Sequence, residues 1–246
     1  MRTFGRKGLT PVAAPVVAPA PPVELPPETP AFEVDDPPHA GRALFEIVER
    51  VVSNDRGRAE DVLAMLAAAA GFSCILAAFD EVREAGVSPQ GLGMILVEPK
   101  DKHRYWFGDL PNRYLVDGED TVIGHTLGAV RRRGGDMTSE VIEGILRRVA
   151  GSVGTPLFGV PVVSALHMPG DEPINYVKFL WPKLAAALDQ YQVPIRQRPS
   201  TFGVALETAI DALAGATPSV GMTVAAQIVI ECAVPMAKLD PARFGF

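Results

Sequence analysis

The sequence predicts an α+β protein dominated by α-helix: one mostly helical domain over residues 41–246 with a small antiparallel β-meander, behind a disordered, Pro- and Ala-rich N-terminal arm over residues 1–40. Three observations predict it. Apolar residues recur every three to four positions through most of the chain, which is the period of a helix face. Between Gly91 and Asp117 that period gives way to short apolar and aromatic runs bounded by turn residues. Ten of the 23 prolines fall in residues 1–40, whose only aromatic residues are Phe4 and Phe32. A segment of that composition cannot bury enough apolar surface to fold alone.

The first folded element begins near Gly41, with Leu44, Ile47, Val48 and Val51 on one helical stripe. A turn over Asn54–Gly57 leads to an Ala-rich second helix carrying Val62, Leu63 and Leu66. Gly71 punctuates it, and Phe72, Ile75, Leu76, Phe79 and Val82 mark a third helix that Gly86 closes. The meander follows. Met94–Val97 is its first strand, Glu98-Pro99-Lys100-Asp101 supplies turn chemistry, Arg104–Phe107 is the second strand, and Tyr114-Leu115-Val116 adds a third.

Helices return with Val122, Ile123, Leu127 and Val130, ended by Gly134-Gly135. The next helix is capped by Thr138 or Asp136, with Glu140 and Glu143 near its start and Arg147 and Arg148 near its end, the order that suits the helix dipole. Prolines 156 and 161 interrupt the Val-rich stretch from Thr155 to His167. Asp171 caps a helix through Val177, Leu180, Trp181, Leu184 and Leu188, kinked or restarted at Pro182. Ser200 caps another through Leu206, Ile210 and Leu213. Ser219–Val234 fits two periods. Its apolar residues alternate as in a strand, yet Thr223, Gln227 and Glu231 form a polar stripe at helical spacing, and a Thr217-Pro218 start favours the helix.

Composition bounds the function. A chain of 246 residues with 48% hydrophobic and 21% charged residues can build a core without a metal or a disulfide framework. Its net charge of −6 argues against bulk nucleic-acid binding, which needs positive charge to displace counterions. Two cysteines, Cys74 and Cys232, sit in apolar runs and read as small buried hydrophobes in a reducing compartment. Arg outnumbers Lys 17 to 6, the signature of a GC-rich bacterial genome. Arg2, Arg6, Lys7 and Ala18-Pro19-Ala20 imitate a signal peptide, but Pro11, Pro15 and Pro19 break its apolar region, so a cytoplasmic location is expected. No run of eighteen uninterrupted apolar residues predicts a membrane span.

Motifs for catalysis, metal or cofactor binding are not evident, so no cofactor and no metal are expected. His103, His125 and His167 stand at no metal-ligand spacing. His167 comes nearest to a catalytic set, with Ser164 three residues before it and Asp171 and Glu172 shortly after, but no nucleophile elbow accompanies it. The acid pairs Glu119-Asp120 and Asp171-Glu172 read as helix-start charges.

Arg104 and Trp106, on a strand expected to leave Trp106 exposed while Tyr105 and Phe107 face the core, are candidate partner contacts. Arg131, Arg132 and Arg133 are further ones. The leading expectation is a non-enzymatic bacterial interaction or assembly protein that binds a protein partner and carries a Pro-rich tether. The alternative is a small-molecule enzyme with a pocket near the meander and His167. A weaker one is polyanion or nucleic-acid binding through Arg131–Arg133 and Arg147-Arg148. A deep polar pocket holding His167 or His103 favours the enzyme, and a flat apolar patch favours the interaction protein. On a helix, Glu231 would be buried and in need of a partner, with Arg196 or Arg198 nearest in sequence.

Overall fold

The computed structural model describes residues 37–54, 57–215 and 220–245. Among them are eight α-helices and one two-stranded antiparallel sheet, so the fold class read from the sequence holds. In chain order they are α1 (Pro37–Asn54), α2 (Ala59–Ala85), β1 (Ile95–Val97), β2 (Tyr105–Phe107), α3 (Asp109–Leu115), α4 (Val122–Arg132), α5 (Ser139–Ser152), α6 (Pro173–Gln190), α7 (Arg198–Gly215) and α8 (Met222–Met236). The predicted arm falls almost wholly outside the described residues. Its last four positions instead form the first turn of α1, where Ala40 is already buried.

Helix α2 is the centre of the core. It packs most extensively on α8, and also on α7, α6, α3 and α1. The expected break at Gly71 is absent, and two predicted helices are one helix of 27 residues. Glycine in a helix interior is unfavourable by about 1 kcal/mol relative to alanine, but here it serves a crossing. A Cβ at position 71 would stand 2.0 Å from the carbonyl oxygen of Ala233 on α8. The glycine is there for contact, and contact restores what propensity loses. Gly86 ends α2 as expected, in the left-handed conformation with φ 64°. By length and composition α2 would also cross a membrane, but 78% of its apolar window is buried against the other helices.

The sheet pairs Ile95 with Phe107, Leu96 with Trp106 and Val97 with Tyr105. The third strand predicted at Tyr114–Val116 is a correction: Tyr114 and Leu115 close α3, which buries Leu110 and Leu115. The third position beside the hairpin is taken by the chain leaving α8. Trp106 N–H donates to the Lys238 carbonyl at 2.8 Å, and Tyr105 bridges to Leu239.

Both faces of β2 are covered, so the expected exposure of Trp106 is overturned. Trp106 stands edge-on to Phe79 of α2 at 5.3 Å, and Tyr105 meets Phe158 at 4.7 Å on the other side. Trp106 is 6% exposed and Trp181 is 2% exposed, so the two tryptophans are nearly equally protected. The Tyr105 hydroxyl, part-buried and donating to Asp101, is pushed up to about 12, by burial first and the carboxylate second. Lys238 is buried beside the hairpin, its ammonium bonded to Asn112 Oδ1 at 2.6 Å, and burial pulls it down to about 8.

The last segment is helical, as the polar stripe suggested, but it begins at Met222 behind Gly221. The Thr217-Pro218 start invoked for it lies outside the described residues. Helix α5 runs to Ser152 with no basic residue in its last turn, so Arg147 and Arg148 do not complement its dipole as predicted. Thr138 takes the position before α5 without a side-chain capping bond. Asp171 stands one residue before the cap of α6, its Oδ1 accepting from Glu172 N–H at 2.7 Å and from Asn175 Nδ2 at 2.8 Å. Helix α6 passes through Pro182 unbroken.

Candidate interaction site

The chain carries no Asp, Glu, Lys or Arg from Val149 to Gly170. Most of that stretch lies between α5 and α6, without regular structure apart from a short 3-10 turn at Ala165–His167. Two sets of polar side chains, each including one buried carboxylate, hold it. From α8, the polar stripe reaches Val162: Glu231 Oε2 accepts its N–H at 3.2 Å, and Gln227 Nε2 donates to its carbonyl at 2.8 Å. Glu231 is 2% exposed, and its other oxygen takes the Arg148 guanidinium from α5. The partner of Glu231 is therefore Arg148. The expected Arg196 bonds to Asp80 and Glu84, and Arg198 to Asp189. Burial pushes the Glu231 carboxyl above its usual range, against the lowering effect of Arg148 and of the Val162 amide.

From the start of α2, Arg58 donates to the carbonyls of Leu166 and Met168, the latter at 3.1 Å. Asp61 Oδ1 accepts Gly170 N–H at 2.7 Å and Tyr176 O–H at 3.2 Å. Glu60, buried beside them, binds His167 Nδ1 at 2.8 Å and Arg58 at 2.7 Å. Burial opposes its charge, yet those partners and its backbone bond outweigh burial and hold the carboxyl below the usual range.

His167 thus serves as a strut to Glu60. The set of Ser164, His167 and Asp171 does not converge: Asp171 is turned to the start of α6, and Ser164 meets His167 through its own carbonyl, which accepts the His167 N–H at 2.9 Å. Along this stretch, before and at the two clamps, the segment turns large apolar side chains outward. Leu157 is 69% exposed, Val162 52% and Leu166 75%. Phe158 and Pro161 are the inward counterparts, Phe158 against Tyr105.

The remaining predicted site residues are dispersed. Arg104 pairs with Glu98 at 2.7 Å on the surface. Arg131, Arg132 and Arg133 meet Asp136, Glu207 and Asp211 at 3.8, 3.5 and 2.9 Å, and Arg147 meets Glu143 at 3.6 Å. Every arginine of the two clusters has a carboxylate beside it, which offsets part of the positive charge that a polyanion site requires. His125, on α4, lies between Asp120 at 3.0 Å and Glu207 at 3.1 Å. No group of three or more potential metal ligands occurs among the described residues.

Glu231 and Gln227 were singled out by their stripe. Arg58 and Glu60 were not, because an acidic residue in a first helical turn reads as ordinary dipole complementation and nothing local shows that either side chain reaches residues 166–168. No family model, curated protein or solved structure matches this chain.

Proposed function

We propose that the protein is an interaction or assembly module, and that the uncharged segment between α5 and α6 is the surface it offers to a protein partner, with the Pro-rich N-terminal residues as its tether. The observation that carries this reading is the cost of the loop's support. A carboxylate taken out of water is expensive unless it is paired, and exchanging a buried ion pair for hydrophobic residues is often neutral or stabilising. This chain keeps Glu60 and Glu231 buried, and both act on one loop whose exposed tips are Leu157, Val162 and Leu166. Scattered exposed apolar residues need no explanation, but three within ten positions of a clamped, uncharged segment make a surface suited to an equally uncharged, apolar patch.

The test is quantitative affinity capture with the tagged full chain. Leu157→Asp/Leu166→Asp should fold with an unfolding free energy within about 0.5 kcal/mol of the parent, as for changes away from packed features. It should lose at least nine-tenths of any partner retained in stoichiometric amount by the parent and by a Phe179→Asp control. Equal retention by the double variant would remove the loop from the interface.

A further inference from the structure

A second surface stands apart from the clamped loop. Helices α4 and α5 leave between them an open groove of about 770 Å³. Its floor is apolar, with Ile123 and Leu127 one turn apart on α4, and Ile142 and Leu146 one turn apart on α5. Ile123 is buried, whereas Leu127, Ile142 and Leu146 are only partly covered. Ile142 and Leu146 share one broad apolar face of α5 with the buried Ile145 and Val149, at i, i+3, i+4 and i+7, and pack on the core while remaining half-covered on the groove side. Gly128 thins the α4 wall: a Cβ there would meet nothing nearer than an Arg132 guanidinium nitrogen at 3.4 Å.

The groove has opposite charges at its two ends along α4. Glu119 lines it just before the helix begins, and Arg131 and Arg132 line it in the last turn. Between them Glu207 holds both His125 and Arg132, and on the facing wall Glu143 is engaged by Arg147.

We infer that this groove takes one amphipathic helix from a protein partner, laid alongside α4 with its N-terminal end at Glu119 and its C-terminal end at Arg131 and Arg132. Apolar pairs spaced one turn apart on both walls match a guest with apolar residues at i, i+3 or i+4, and i+7. The orientation follows from the helix dipole, whose positive N-terminus is favoured beside a carboxylate and whose negative C-terminus is favoured beside guanidinium groups. The eleven residues of α4 give the groove a length of about 16 Å, or three turns of a guest helix. The groove is too open to enclose a small ligand, and the carboxylates at one end disfavour a polyanion. This inference is independent of the proposal made for the loop.

A randomised library of 14-residue helical peptides, selected on the full chain and counter-selected on Gly128→Leu, tests it. Gly128→Leu fills the groove at a position with open space and exchanges glycine for a stronger helix former, so its unfolding midpoint should equal or exceed the parent's. Enriched peptides should carry apolar residues at the stated spacing. Their Kd, from fluorescence anisotropy, should weaken at least tenfold on Gly128→Leu and severalfold on Arg131→Glu, and should not change on Leu157→Asp/Leu166→Asp. The inference is overturned if no peptide prefers the parent to Gly128→Leu, if enriched peptides lack the apolar spacing, or if binding is lost through the loop variant instead.

Discussion

Gly71→Val should leave no cooperative unfolding transition, and Gly71→Ala should destabilise the fold by about 3 kcal/mol, the upper range for overpacking a close-packed interior. The reason is the crossing of α2 with α8. The atom that an added Cβ would strike, at 2.0 Å, is a backbone carbonyl oxygen, which cannot turn aside as a side chain can. Relief requires the two helices to move apart along the most extensive contact in the core. The gain of about 1 kcal/mol in helix propensity is too small to offset this. For a protein whose total stability is on the order of 5–15 kcal/mol, the valine variant leaves little margin. Chemical denaturation followed by circular dichroism measures both. An alanine variant as stable as the parent would show that the helices do not meet as closely as described.

Arg148→Ala is expected to have the next largest effect, about 2 kcal/mol. Losing one partner of a buried pair leaves the other charge uncompensated, a change that costs 3–5 kcal/mol when both are buried, and it is discounted here because the Arg148 side chain is 36% exposed. Glu231→Leu removes the other half and should be tolerated, since Arg148 can then turn to water. The effect has a definite pH dependence. The folded Glu231 carboxyl titrates above its unfolded value of about 4.5, so between the two the folded state binds the extra proton. Stability arising from this group is therefore lost as pH rises from about 4.5 through the folded value. Arg148→Ala raises the folded value further, so its deficit should be small at pH 4 and should grow as pH rises toward 7. A deficit that does not change over that range would show that Arg148 acts by packing rather than by charge.

The same residues show where the sequence was readable. Periodicity found the helices because each buries a face: Leu44 and Val48 on α1, and Leu180, Trp181, Leu184 and Leu188 on α6, are buried as their spacing required. It failed where a residue's role is set by a remote neighbour. Gly71 reads as a break until α8 is placed against it. Tyr114–Val116 has strand composition, but α3 offers Leu115 a buried position while the chain after α8 fills the sheet edge.

Alternation placed Trp106 on a solvent face because sequence does not show that Phe79 and Phe158 cover both sides of β2. The candidate site was legible in half. The stripe of Gln227 and Glu231 is local to one helix and could be seen. Its partner Arg148 stands 83 residues away and could not, and nor could the 107-residue reach from Glu60 to His167.

The claim on which the account rests is that polar residues centred on two buried carboxylates hold an uncharged loop in place for contact. Amide hydrogen exchange in the parent and in Glu231→Leu tests it most directly, because the substitution removes the acceptor of the Val162 N–H while leaving an apolar side chain on α8. The predicted result is a folded protein in which α2 and α8 exchange as slowly as in the parent, while the Val162 amide exchanges at least tenfold faster. A Val162 amide equally protected in both proteins would contradict the account, since the loop would then be held without the clamp.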